Sequence, residues 1–497
     1  MTDLFSEVLR RRAAHEPDGI AVVDETGATT NAELDRAVDA IAHEVAASGA
    51  ARVAVIASNS TSFLAHAFGV WRAGRTLVTV YPSSPEAEID YALGHADVGV
   101  VFADEESAAR VPARWAVRAL DRHLPGSGPF DADAVTDTVT DADAQALICY
   151  TSGSTQRPKA VVHTHRSVLG GARAYAEVWH LGPDDTTLVV LPMAWAFGLV
   201  TTSMAALVSG GRVRSVRRAR ADALLPAIGE DEVTFVAGVT TIFAKMVEAL
   251  RAGASVDGHR IRLCISGGEP RNELVFDEWR SRTGVPVHDV YAASECFPVV
   301  TYDPVRDPEP TPGFAGRVAP GSALRLWDEA REVFSDGPGT GEAFVRGAAF
   351  FSGYLGDSET TAAALTADGW YRTGDLVEVR PDGLVRVLGR LSGMIIRGGA
   401  NVAPAEIERV VREAQDVEDA AAIGLPDHDY GQRIVVAVTG HAGAVPDRDA
   451  IMARCRRDLA GYKVPQDIVV LEALPINDRT GKLDRRALER ELAGRPI

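Results

Sequence analysis

The chain has 497 residues, 46% of them hydrophobic and 24% charged, with a formal net charge of −18. That length exceeds one ordinary domain and is ample for a large core. The acidic balance argues against a phosphate-backbone partner, so nucleic acid is not expected, and any anionic small molecule must be met by a local positive cluster.

The N-terminal segment MTDLFSEVLRRRAAHEP has helical spacing in Leu4, Phe5, Val8 and Leu9. It has neither the uninterrupted apolar core nor the cleavage site of a signal peptide. No apolar run is long enough to span a bilayer. Cys149, Cys264, Cys296 and Cys455 lack the short spacings of a disulfide framework or a metal site, which suits a reducing cytoplasm. Strand-length runs rich in Val, Ile or Leu recur at 52–58, 76–82, 98–104, 146–151, 187–192, 234–238, 262–268 and 285–291. Segments of helical period separate many of them. In STSFLAHAFGVWRAG, for example, Phe63, Leu64, Ala67, Phe68 and Trp71 fall on one stripe. Strands apolar on both faces, alternating with helices, predict an α/β fold of parallel helix-covered sheets, with ligands at the carboxyl ends of the strands. The acidic stretch 131–146 reads as a solvated linker or loop.

The pattern changes after about Pro304. A Pro/Gly-rich connection leads into short alternating runs that predict antiparallel strands, forming a small β-barrel-like subdomain, with RPDG as a hairpin turn. Beyond Gly389 the tail has strands and helices of its own and predicts a small α+β domain. The expected organisation is an N-terminal domain over 1–389, a hinge at 390–393 and a mobile C-terminal domain over 394–497. No internal repeat is visible.

Six segments have the composition of ligand loops. CYTSGSTQRPK (149–159) follows a strand and is rich in hydroxyls and backbone amides that can ring an anion, although it misses the GK[ST] spacing of the common phosphate loop. SGGEP (266–270) places paired glycines at a strand end, where backbone can approach a ligand closely. DVYAASE (289–295) offers a tyrosine face for a base and a carboxylate for a hard cation. YRTGDL (371–376) presents a carboxylate suited to sugar hydroxyls. GRLSGMIIRGGANVAPAEIE (389–408) is a glycine-rich boundary segment, and PINDRTGKLDRR (475–486) exposes Lys482 behind a glycine. Taken singly, each also reads as an ordinary turn, core tyrosine or solvated lysine.

In order and spacing, together, they resemble the adenylate-forming superfamily: acyl- and aryl-CoA synthetases, peptide-synthetase adenylation domains and firefly-type luciferases. The resemblance covers nearly the whole chain. It implies that Thr151, Ser152, Gly153, Ser154, Thr155 and Lys159 hold the phosphates of ATP, with Thr155 also touching Mg²⁺. Gly267, Gly268 and Glu269 would lie along the adenine and the acid pocket, with Asp289 beside Tyr291, which stacks on the base. Glu295 would hold Mg²⁺, Asp375 the ribose with Arg390 nearby, and Lys482 the α-phosphate and attacking carboxylate. Ser392 matches the hinge, where the family usually has Asp or Lys. Domain rotation would then bring in the loop Arg397–Asn401, with Gly398 and Gly399 lining a thiol tunnel.

The chain departs from the family pattern at four loop positions. Gln156 and Ala292 stand where glycine is usual, and Thr240 stands where proline is usual. Trp195 replaces the histidine of most CoA synthetases, and the aspartate that pairs with an amino-acid ammonium is missing, which disfavours free α-amino acids. Trp195, Phe197, Val239, Thr240, Gly267, Ala292 and Pro298 are expected to line a closed apolar pocket for a compact aromatic, cyclic or branched acid. The implied activity is AMP-forming acid–thiol ligation using ATP and Mg²⁺, with coenzyme A as thiol and the oligomeric state open. Alternatives are a stand-alone carrier-protein pantetheine, a non-thiol acceptor, an unusual acid such as nitrite, or a non-catalytic nucleotide-binding homologue.

Overall fold

The computed structural model describes residues 4–124, 141–151, 158–230, 232–269, 271–329, 331–397, 400–427, 431–441, 444–476 and 483–493. They form two compact units, Met1–Leu324 with Val345–Arg372, and Arg325–Phe344 with Thr373–Ile497.

The first unit holds two large sheets. In the seven-stranded sheet the order is Gly353–Tyr354, Lys159–Thr164, Gln145–Thr151, Thr76–Thr79, Arg52–Ile56, Val100–Ala103 and Val117–Ala119. In the ten-stranded sheet, six neighbours run parallel: Ile20–Asp24, Arg212–Ser215, Thr186–Val189, Phe235–Gly238, Leu263–Gly267 and Val287–Ala293. Antiparallel strands close its edges. The central strands are apolar on both faces because helices cover both, as the runs of Val, Ile and Leu predicted.

The helix Thr61–Arg72 differs from its expected single apolar stripe, since all of its residues are buried. It touches strands of both sheets, so it has no wet face. Several of its polar groups find partners inside. Ser60 caps the helix through Phe63 N–H, and Trp71 Nε1 donates to Ala146 O at 2.7 Å. Arg72, fully buried, meets Asp35 at 2.5 Å and Asp39 at 2.8 Å and donates to the carbonyls of Ser6 and Asp35.

The second unit contains a five-stranded sheet in the order Val333–Ser335, Ala323–Asp328, Gly339–Arg346, Tyr371–Val379 and Val385–Arg390. The RPDG turn closes its last hairpin: Gly383 N–H donates to Arg380 O, and Gly383 has φ +85°. A three-stranded sheet of Val417–Asp427, Gly431–Gly440 and Asp467–Val470 follows. Its apolar side chains alternate between two cores. Ala420, Ala422, Ile434 and Val436 meet the helices Pro404–Arg412 and Arg448–Asp458, while Ile423, Leu425 and Val435 meet Leu488 and Leu492 of the helix Arg485–Ala493.

Removing the buried cation takes the close partner from Asp35 and leaves Asp39 only Arg10, 3.5 Å away. Arg72→Ala is expected to lower the unfolding free energy by roughly 3–5 kcal/mol. Asp39→Asn, at the more exposed partner, should cost about 1 kcal/mol or less. Urea titrations of the two variants check the ordering.

Candidate functional site

Four of the parallel strands of the large sheet end side by side, and the loops that leave their carboxyl ends carry most of the expected pocket, at 191–197, 239–240, 267–269 and 291–295. Position in a parallel sheet, rather than the composition of any one loop, brings these residues together.

Trp195 and Phe197 are half-buried, and Trp195 lies against Tyr81 with ring centroids 5.3 Å apart. Their segment is pinned by Asn59, whose side chain donates to Leu191 O at 2.8 Å and accepts from Met193 N–H at 2.7 Å. Gly198 follows, where a Cβ would fall 2.2 Å from Pro192 O, and the chain then winds through a π-helical stretch, Phe197–Met204. Gly267 is equally obligatory: a Cβ would meet Val290 Cγ1 at 2.5 Å and Phe197 Cε1 at 3.3 Å. Gly268 has φ +76° and is exposed. Glu269 does not stand free, since it accepts from Thr241 N–H and Thr241 Oγ1, both at 2.9 Å, at the start of the helix Thr240–Arg251. Thr240 Oγ1 lies 3.5 Å from Ser266 Oγ. Tyr291 is half-buried, Ala292 exposed, and Pro298 buried in the strand Cys296–Thr301.

Asp289 pairs in register with Ser266, one residue from Gly267. Burial pushes its carboxyl up to about 7, and Arg271, 3.4 Å away, only partly opposes this. Arg271 is shared with Glu273 and also donates to Val287 O.

The hydroxyl-rich loop opens from a hairpin. Thr151 and Lys159 are register partners across the antiparallel strands Gln145–Thr151 and Lys159–Thr164. Ser152, Gly153, Ser154, Thr155 and Gln156 lie outside the described residues. Lys159 Nζ sits 4.8 Å from the centroid of the Tyr354 ring, and Tyr354 Oη donates to Glu295 Oε1 at 2.7 Å. Ser294 and Glu295 form the tight turn between Ala293 and Cys296, which pair. Buried His163 joins the same turn: its Nε2 lies 2.7 Å from Ser294 O and its Nδ1 3.0 Å from Ser167 Oγ. Burial pushes His163 down to about 4, so the ring is neutral at physiological pH.

The Glu295 carboxylate suits a hard divalent cation. It is nearly buried, one oxygen is committed to Tyr354, and Oε2 accepts no hydrogen bond from the described residues. Among the described residues no group of three His, Cys, Asp or Glu could hold a metal ion. A cation here would therefore complete its shell with phosphate oxygens and water, the usual mode of Mg²⁺.

In the second unit, Asp375 and Arg390 face each other across a hairpin, with Nε and Oδ1 2.7 Å apart. Thr373 Oγ1 accepts Asp375 N–H and donates to Ala343 O. Leu391–Gly393 forms a short 3-10 turn directly after Arg390. The Ser392 side chain, Gly398, Gly399 and Lys482 lie outside the described residues.

Sequence reading missed Tyr81, Asn59, His163 and Tyr354. Their only local signal is a polar or aromatic residue at a strand end. The four cysteines are free and buried; burial together with the nearby Glu295 pushes Cys149 up to about 12 and raises Cys296 as well.

Asp289 yields a stability prediction. Its folded pKa lies above the unfolded one, so its contribution is full below about pH 4 and is lost as pH rises through about 7. Asp289→Asn should remove part of the decline in stability between pH 5 and pH 8, on the order of 1–2 kcal/mol. Parallel denaturation profiles for the two proteins would overturn this.

Comparison with known proteins gives the same picture. The family described as AMP-binding enzyme matches residues 9–355, and its C-terminal domain matches residues 406–482. An indoleacetate–CoA ligase of Aromatoleum aromaticum is 31% identical, with 95% of each chain covered. A feruloyl-CoA synthase of Amycolatopsis is 32% identical, with 94% of each covered. ATP-bound MatB from Rhodopseudomonas palustris superposes with a TM-score of 0.88 at 26% identity, covering 98% of this chain and 99% of its own. The chain belongs to the AMP-binding enzyme family, within the adenylate-forming superfamily that its loops resemble.

Proposed function

We propose that this AMP-forming acid–CoA ligase activates a compact aromatic, cyclic or branched carboxylic acid. The observation that carries the reading is the wall of the candidate pocket. Trp195 backed by Tyr81 stands on one side, Phe197 lies close to where a Cβ at Gly267 would sit, and Val239 and Thr240 follow the strand between theirs and that of Gly267 in the sheet order. Such a wall is largely apolar, which favours a rigid ring over acetate. The two relatives named above act on indoleacetate and ferulate, acids of that class. No described side chain of this wall is an acid that could pair with an ammonium, which disfavours free amino acids.

The chemistry requires a weak carboxylate nucleophile to approach a triphosphate. The loop Thr151–Lys159, including Ser152, Gly153, Ser154 and Thr155, cradles the β- and γ-phosphates. Tyr291 stacks on the adenine, beside Asp289 and the turn Gly267–Glu269. Asp375 accepts the ribose hydroxyls, and Arg390 holds Asp375 in place. Lys482 meets the charge that develops at the α-phosphate and the attacking carboxylate. Glu295, with Thr155, holds Mg²⁺, which when bound neutralises phosphate charge. The turn at Ser392 serves as the hinge between the two half-reactions, exchanging Lys482 for the loop with Gly398 and Gly399, where the pantetheine thiol enters. We place domain 1–389 before this hinge and domain 394–497 after it. Four free, buried cysteines favour a cytoplasmic location, and no helix among the described residues is long and apolar enough to cross a membrane.

Acid-dependent exchange of pyrophosphate into ATP tests the reading. Aryl and cyclic acids should exchange at least tenfold better, in kcat/KM, than acetate or palmitate, and Lys482→Ala should lose roughly 10²–10³-fold. Trp195→Ala should move the preference toward larger acids. Best exchange with acetate or palmitate would sink the substrate class. Exchange with nitrite alone, or none at all, would point to an unusual acid or a non-catalytic homologue. Thioester formed on a separate carrier protein but not on CoA, or an amide product, would redirect the second half-reaction.

A further inference from the structure

We propose that Tyr354 is a positioning residue for the metal carboxylate, fixing Glu295 and the base of the phosphate loop at a set separation. The inference rests on the reading of Glu295 as the magnesium ligand.

Three contacts converge on this one residue. Its hydroxyl donates to Glu295 Oε1 at 2.7 Å, its ring lies 4.8 Å from Lys159 Nζ, and its backbone pairs in register with Val161, two residues beyond Lys159. Tyr354 and Glu295 are both buried, at 7% and 8% exposure, so neither group exchanges freely with water. A carboxylate on a two-residue turn can rotate about its own side-chain torsions, and each wrong rotamer presents the wrong oxygen or none. The phenol removes that freedom. It binds one oxygen and leaves Oε2 as the ligating atom, as outer-shell partners of metal ligands commonly do. The turn itself is held from the other side: His163, four residues after Lys159 on the same strand, binds Ser294 O, and Phe351 N–H donates to Glu295 O. Carboxylate, turn backbone and loop-base ammonium are thus all referred to the strand Lys159–Thr164.

A purely structural tyrosine would affect folding but not the metal. The test therefore reads metal binding directly, with Mn²⁺ in place of Mg²⁺ and a non-hydrolysable α,β-methylene analogue of ATP, and with bound Mn²⁺ followed by electron paramagnetic resonance. Tyr354→Phe keeps the ring over Lys159 and removes only the hydroxyl. It should weaken Mn²⁺ binding in the ternary complex roughly three- to tenfold and leave metal-free analogue binding within about twofold. Tyr354→Leu, which also removes the ring, should weaken metal-free analogue binding too. Because the hydroxyl acts through Glu295, the double variant Tyr354→Phe/Glu295→Gln should bind Mn²⁺ no more weakly than Glu295→Gln alone. Thermal melts report whether each variant is folded. If Tyr354→Phe folds poorly, Glu295→Asp, which withdraws the charged group from the hydroxyl, should show a similar loss of Mn²⁺ affinity. Unchanged Mn²⁺ affinity in Tyr354→Phe, or additive losses in the double variant, would overturn the role of Tyr354 and leave Glu295 as the ligand. Unchanged affinity in Glu295→Gln would overturn the metal reading itself, and the role of Tyr354 with it.

Discussion

In the proposed reading, the phosphate side of the site depends on the strand Lys159–Thr164 being held on both edges. One ladder joins it to Gln145–Thr151 and the other to Gly353–Tyr354. A strand paired on two sides cannot slip by one residue without turning every side chain to the opposite face. Its alternation places buried Val161 and His163 at fixed positions, and His163 stays neutral because a charged imidazole there would lack water and a counter-ion. A second consequence is electrostatic. A phosphate loop that opens onto a helix borrows the positive end of the helix dipole. The loop proposed for this role returns into the strand Lys159–Thr164, whose net dipole is small, so in that reading positive field has to come from side chains and from bound cation. The cation–π contact at Lys159 fits that requirement.

How much of this was legible in the sequence divides along a physical line. The parallel-sheet architecture was legible because strands covered on both faces read as apolar runs, and the ligand loops because small and hydroxylic residues mark strand ends. The α+β tail was legible because short apolar runs within Val417–Asp427 and Gly431–Gly440, set between helical segments, read as strands. The helix Thr61–Arg72 was read as one-sided because Ser62, His66 and Arg72 imitate a wet face, and a 3.6-residue period cannot report that two sheets cover it. His163, Tyr354 and Asn59 were illegible for a different reason. Their partners lie 131, 59 and 132 residues away, and such pairs exist only once the sheets are assembled.

In the proposed reading, Asp375 is a binding group prepared ahead of its ligand. Its backbone N–H is spoken for by Thr373, its side chain by Arg390, and Gly374 between Thr373 and Asp375 takes φ +71°, a value ordinary side chains avoid. The carboxylate is nearly buried while the guanidinium is largely exposed. Arg390 is also the last residue of its strand, directly before the turn Leu391–Gly393. In that reading, rotation at that turn begins one residue from Arg390, which holds the ribose-binding carboxylate of Asp375, so nucleotide grip and domain movement share a lever.

The burial of the cysteines bears on a hazard inherent in the chemistry. A mixed anhydride of an acid and AMP is a strong acylating agent, and the groups it attacks fastest are thiolates and free amines. Cys149 stands two residues before the loop and Cys296 directly after Glu295, yet both are buried and held protonated. Lysine is scarce as well: only Lys159, Lys245, Lys463 and Lys482 occur among 51 basic residues, the others being arginine, whose guanidinium is a poor nucleophile. Lys463 is engaged with Glu406. The protein surface is thereby chemically quiet toward its own intermediate, which leaves the incoming thiol as the favoured acceptor and limits self-modification during turnover.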